Sequence, residues 1–332
     1  MKLATYKDGS RDGQLLVVSR DLSAAHYATG IASRLQHALD DWNFIAPQLQ
    51  DLYDTLNSGK ARHAFAFDAA QCMAPLPRAY LWAECQAWPP HAELLRAAGG
   101  AHDMGEADDT AMHLCASGDL LGPRALLMGQ NDAWQIDFAA GLAAATGEVP
   151  CAATPEQGLD AVRLLMLSCA TVLHAPPAAG PLHRRPATAL SPVAVTPDEL
   201  GDAWQGGRVH LTLQASLNGR RLGLCEAGAD MRFHFGQLIA HAARTHRLRA
   251  GSLIGAGPVS NAGTENNGRR EWPRGHVNLA EKRAAETLLG GAPKTAYLHQ
   301  GDTVRIDMKG RAGESVFGTI EQRVGLPETT ER

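Results

Sequence analysis

Apolar and polar residues alternate from Val209 to Leu224, with Val209, Leu211 and Leu213 before Asn218-Gly219 and Leu222 and Leu224 after it. A period of two around a pair that supplies positive φ predicts a two-residue hairpin. The same period predicts strands at Gln14 to Val18 and at Thr303 to Lys309, where Val304, Ile306 and Met308 alternate. Helical spacing marks Ile31 to Asp41, Pro47 to Leu56 and Gln237 to Arg247, the last carrying Leu238, Ile239 and Ala242 and stopping before Gly251. Thr154-Pro155-Glu156-Gln157 and Thr196-Pro197-Asp198-Glu199 each offer a threonine cap, a proline in first position and Gln or Glu in third, so both predict helix starts. Leu164 to Leu182 lacks Asp, Glu, Lys and Arg over nearly a membrane-spanning length. His174, Pro176, Pro177 and Gly180 argue instead for a helix running into a loop.

Prolines 75 and 77 disfavour regular structure at Ala74-Pro75-Leu76-Pro77, which divides the chain into a small N-terminal domain, 1–77, and a larger one, 78–332. At 332 residues and 35.3 kDa, a chain with 45% hydrophobic and 20% charged residues can bury a sizeable core and is not disordered. A net charge of −4, with 25 Arg and 6 Lys in runs no longer than two, gives no polybasic patch and argues against a nucleic-acid partner. Six scattered cysteines without a CxxC pair fit neither a zinc site nor a disulfide framework. With no apolar leader in MKLATYKDGSRDGQ, a reducing cytoplasm and no membrane are expected.

Candidate chemistry is sparse. Gly255-Ala256-Gly257 is followed at once by Pro258, so it predicts a tight turn and no dinucleotide site. His234, His241 and His246 lack carboxylate or thiolate company and read as packed or solvated histidines. Neither GxSxG nor HExxH occurs. Glu281-Lys282-Arg283 opens an amphipathic stretch ending at Gly290-Gly291, which reads on composition as a charged helix face. His91-Ala92-Glu93 puts an imidazole and a carboxylate near each other.

Four stretches then act together: Gly206-Gly207-Arg208-Val209 with its hairpin, Phe233 to His241, Ala280-Glu281-Lys282-Arg283, and Gly301 to Ile306. With Lys2 to Arg20, they resemble the bacterial branch of the fumarylacetoacetate hydrolase family over nearly the whole chain. The resemblance implies an α+β fold, a mixed β-roll core with peripheral helices and a small N-terminal domain, in a homodimer. It also implies a magnesium-like cation on carboxylates and reactions on diketo acids and related oxo acids: carbon–carbon cleavage, decarboxylation, hydration or isomerisation.

Ile136 to Ala143 resembles the family strand IDFEAELA, which puts Ala139 and Gly141 at two ligand positions. Leu167 to Thr171 puts Ala170 at a third, and Asp109, with Asp108 as its rival, matches the leading one. One acid is not a magnesium site, so no metal and no cofactor is expected. His91, Glu93 and Glu281 match the family's lid histidine and acid/base carboxylates. Arg185, in a Lys-Pro-Ala-Thr-like stretch, would hold the carboxylate of a small oxo acid. The resulting expectation is a metal-independent acid/base enzyme. The alternative is an inactive family member kept as a ligand sensor or partner subunit.

Overall fold

The computed structural model describes residues 1–99, 111–128, 131–176 and 181–325. The chain opens with β1 (Lys2–Tyr6), β2 (Gln14–Val18), β3 (Ala24–Tyr27), α1 (Leu35–Asp40), α2 (Trp42–Asn57) and β4 (Phe65–Ala66). Next come β5 (Trp82–Cys85), α3 (Pro89–Ala97), β6 (Met112–Leu114) and β7 (Leu127–Met128). The central stretch holds β8 (Ile136–Thr146), α4 (Pro155–Asp160), β9 (Val162–Leu173), α5 (Pro181–Arg184), β10 (Thr188–Leu190) and β11 (Val193–Val195). After it run β12 (Trp204–Gln205), β13 (Arg208–Val209), β14 (Thr212–Leu217), β15 (Arg220–Glu226), α6 (Phe235–Ala242) and β16 (Leu253–Pro258). Last are β17 (Thr264–Asn266), β18 (Arg269–Glu271), α7 (Leu279–Gly290), β19 (Thr303–Met308) and β20 (Ile320–Gly325).

Eleven strands form one mixed sheet in the order β4-β3-β2-β1-β11-β9-β8-β16-β5-β6, with β10 also on β9. Most neighbours are antiparallel, while β16 and β5 run parallel. Side chains of β8 and β9 alternate between two cores. Phe138, Ala140, Leu142, Leu165 and Leu167 face a core shared with α6 and with the five-stranded sheet β15-β14-β19-β20-β7. Ala143, Ala145, Leu164 and Met166 face the other, closed by Leu35 and Leu39 of α1 and Leu49 and Tyr53 of α2. Fully burying a Leu-sized side chain contributes roughly 1.5–3 kcal/mol, so a sheet covered on both faces draws its central strands from continuous apolar sequence.

That explains the main departure from the sequence expectation. The apolar run from Leu164 is the strand β9 through Leu173, not a helix, because both of its faces are buried. No helix among the described residues is long and apolar enough to cross a membrane. Gly255-Ala256-Gly257 likewise lies inside β16 instead of a turn; Gly257, at φ 83°, takes up an irregularity in the pairing with β8. The helix expected from Ile31 begins only at Leu35. The stretch after Thr196 is a 3₁₀ helix with no side-chain cap.

The helix expected from Pro47 starts earlier, at Trp42, and the one expected to reach Arg247 ends at Ala242, while local turn and cap chemistry agree with the structure at two places. The hairpin turns on Asn218 (φ 50°) and Gly219 (φ 75°), and Thr154 with Gln157 closes a reciprocal capping box at α4.

Candidate active site

Asp137, at the head of β8, accepts the backbone N–H of Leu279 (2.8 Å) and of Ala280 (2.9 Å) and meets His174 Nε2 at 3.0 Å. Asn278 accepts the N–H of Glu281 at 2.8 Å. Anionic and capping oxygens satisfy the exposed donors of a helix start, so α7 is fixed to the sheet by its first turn. The third residue of that turn is Glu281, 1% exposed. The charged face expected from composition is therefore buried at its leading residue.

Glu281 Oε1 stands 2.5 Å from Nδ1 of His91, and Oε2 stands 3.1 Å from Nδ1 of His276. His91 comes from α3, whose Leu94 packs on Ala284 and Ala285 of α7. Burial works to raise the Glu281 pKa, but the two imidazole hydrogen bonds and charges outweigh it and hold the carboxyl at about 2. In the neutral ring, an ionised carboxylate accepting Nδ1–H puts the lone pair of His91 on Nε2, the atom a general base uses. Glu93 does not share the cluster: it lies two residues along the helix and is exposed.

Arg185 donates through Nη1 to Glu84 Oε2. Glu84, on β5, is 1% exposed, and burial pulls the guanidinium pKa down to about 10, still charged at neutral pH. Arg185, partly buried, is thus the ion-pair partner of Glu84, a contact that the sequence expectation of a carboxylate holder did not include. His113 Nε2 lies 3.7 Å from the same carboxylate oxygen. Burial pushes the nearby Cys115 thiol up to about 12 and lowers His113. His183 and Arg184, just before Arg185, are exposed.

The sheet register brings together the three positions that the family resemblance assigns to metal ligands. Ala139 pairs directly with Ala170, which pairs in turn with Thr188, while Gly141 pairs with Ser168 and Pro258. Val277 O accepts from Ala140 N, so the segment carrying His276 runs beside them. These residues do not fit a carboxylate-held cation. Alanine and glycine supply no donor, and a Cβ on Gly141 would lie 2.1 Å from the carbonyl oxygen of Gly257. Asp108 and Asp109 lie outside the described residues. A cavity of about 560 Å³ between Arg34, Gln36, Pro77, Arg78 and Tyr80 is lined by none of these groups, and its Asp12 is ion-paired to Arg34 and Arg78.

The fold that presents this cluster matches known sequence families along almost all of its length. Residues 1–78 match the description "Fumarylacetoacetase N-terminal domain 2", and residues 86–325 match "Fumarylacetoacetate (FAA) hydrolase C-terminal". The chain belongs to the fumarylacetoacetate hydrolase family. Its solved neighbours include a fumarylacetoacetate hydrolase from psychrophilic Exiguobacterium antarcticum: 16% identity, 98% of this chain and 99% of that one, TM-score 0.65. A maleylpyruvate hydrolase from Sphingobium sp. SYK-6, solved with manganese(II) and pyruvate, has 14% identity over 98% and 99%, with TM-score 0.64. A 2-hydroxyhepta-2,4-diene-1,7-dioate isomerase from Mycobacterium marinum has 13% identity over 99% of each chain, with TM-score 0.56. No curated protein matches the sequence significantly. Within the family fold, Glu84, His113, Cys115 and His276 were not singled out in the sequence; the alternate spacing of His113 and Cys115 in a short apolar segment was the available signal.

Proposed function

We propose that this family member moves protons on a small oxo acid through His91 and Glu281, without the carboxylate-held cation of the family. The observation that supports it most is the buried 2.5 Å contact between His91 Nδ1 and Glu281 Oε1, retained beside ligand positions that hold no donor. In this scheme Nε2 of His91 takes a proton from carbon next to the substrate carbonyl, or from water, and returns it later in the cycle. Glu281 keeps the ring tautomer and stabilises the imidazolium. Without a Lewis acid worth several kcal/mol at a developing enolate, the scheme suits an activated substrate better than an inert one.

His91→Asn and Glu281→Gln, assayed on acetylpyruvate and fumarylacetoacetate, test it. Loss of about 10²–10⁴-fold in kcat/KM for His91→Asn, with unchanged circular dichroism, is the expected result. Turnover untouched by either change contradicts it. The closed position at Gly141 supports a second reading, a sensor that binds a small carboxylate without turning it over. Carboxylate binding in calorimetry with no turnover of any oxo acid would favour that reading. A cytoplasmic setting, supported by six cysteines that are all unpaired thiols, and the homodimer implied by the family resemblance complete the proposal.

A further inference from the structure

Glu84 and His113 stand directly opposite each other in the antiparallel pair of β5 and β6, and Cys115 N bonds to Trp82 O one step along the same ladder. Residues two apart share a sheet face, so the three side chains converge. Their ligand atoms all lie within 4.8 Å of one another. We propose that Glu84, His113 and Cys115 bind a divalent cation of the zinc class, with a fourth position open to a small carboxylate.

Metal–nitrogen and metal–oxygen bonds of about 2.0–2.2 Å and a metal–sulfur bond of about 2.3 Å put tetrahedral ligand atoms roughly 3.3–3.7 Å apart. With its ligand atoms within 4.8 Å of one another, the cluster is within about 1.5 Å of that spacing before any side chain moves. His113 Nε2 is buried and has no hydrogen-bond partner among the described residues, which a purely structural packing of this histidine leaves unexplained. Thiolate and imidazole select zinc-like ions over magnesium, so this is a different chemistry from the all-carboxylate site that Ala139, Gly141 and Ala170 have lost. Three protein ligands is the count of a site with an open position, not of a closed structural one.

Binding forms the metal–sulfur bond as the Cys115 S–H proton leaves to solvent. The carboxylate of Glu84 and the thiolate then balance the dication. Arg185, held on Oε2 of Glu84, adds one positive charge beside the open position and favours an anion there.

The test uses the full-length chain, treated with chelator and titrated with Co²⁺ as a spectroscopic stand-in for zinc. One equivalent should bind with an intense near-ultraviolet thiolate-to-cobalt band. Cys115→Ser should abolish the band, while Cys151→Ser, a change at an exposed cysteine, should keep it. His113→Asn should weaken cobalt binding by roughly tenfold to a hundredfold or more, the least that loss of a metal's supporting group costs. This variant keeps the test open should Cys115→Ser fail to fold by circular dichroism. No band in the parent, a band surviving in folded Cys115→Ser, or unchanged affinity in His113→Asn would overturn the site. No turnover is read, so failure of the His91–Glu281 scheme and failure of this site remain separate results.

Discussion

Glu84 and Arg185 are 101 residues apart in sequence, and their pairing changes what Arg185 can do. An arginine near the end of a proline-flanked stretch reads as an open cation; opposite a carboxylate 1% exposed, it instead neutralises a buried charge. Arg185→Met would strand that charge, and breaking a buried pair from one side costs about 3–5 kcal/mol. Urea unfolding checks the loss, and a change below about 1 kcal/mol would contradict the ion pair. Glu93→Ala should shift stability by no more than about 0.5 kcal/mol, because Glu93 is exposed. The family motifs pointed to His91 and Glu281 separately, and the structure brings the two side chains into contact. His276 was not legible in the sequence, since nothing in Gly275-His276-Val277 shows that the chain returns to the second oxygen of Glu281.

At the scale of elements, two or three neighbouring residues decide the Asn218-Gly219 hairpin and the Thr154 cap, although the matching Thr196 sequence opens a 3₁₀ helix without a side-chain cap. Local signals failed where tertiary cover decides. The run of β9 has no period because both its faces are buried, and a continuous apolar segment looks the same in a core helix. Gly255 to Gly257 carries turn-like residues because β16 must pass close to its neighbours. A Cβ on Gly255 would meet the Trp82 ring at 2.5 Å, and one on Gly141 would meet Gly257 O at 2.1 Å. Gly141→Ala should therefore cost about 1–3 kcal/mol by overpacking, measured by the urea midpoint. Gly141→Glu should lower stability without creating tight Mg²⁺ binding in calorimetry. Stoichiometric binding in that variant would show that β16 yields and that the position is open after all.

Across the whole molecule, one sheet carries strands of the first 78 residues and of the family's catalytic-fold region together, with β1 hydrogen-bonded to β11. The α+β class and the family were legible in the sequence because the motifs that carry them lie in the later strands and helices. The site's electrostatics were not, because they depend on α7, α3 and β8 meeting. That meeting sets an acid response. Glu281 titrates near 2 in the folded chain and near 4.3 when unfolded, so its contribution to stability is complete above about pH 4.3 and is lost as pH falls toward 2. Urea midpoints of Glu281→Gln should vary less with pH across that window than those of the parent; parallel curves would contradict an ionised Glu281. The central claim, acid/base chemistry without a carboxylate-held cation, is tested most directly by acetylpyruvate turnover after exhaustive chelation. Turnover retained without added metal, and lost in His91→Asn, is the predicted result; turnover abolished by the chelator and restored by Mg²⁺ or Mn²⁺ would contradict it.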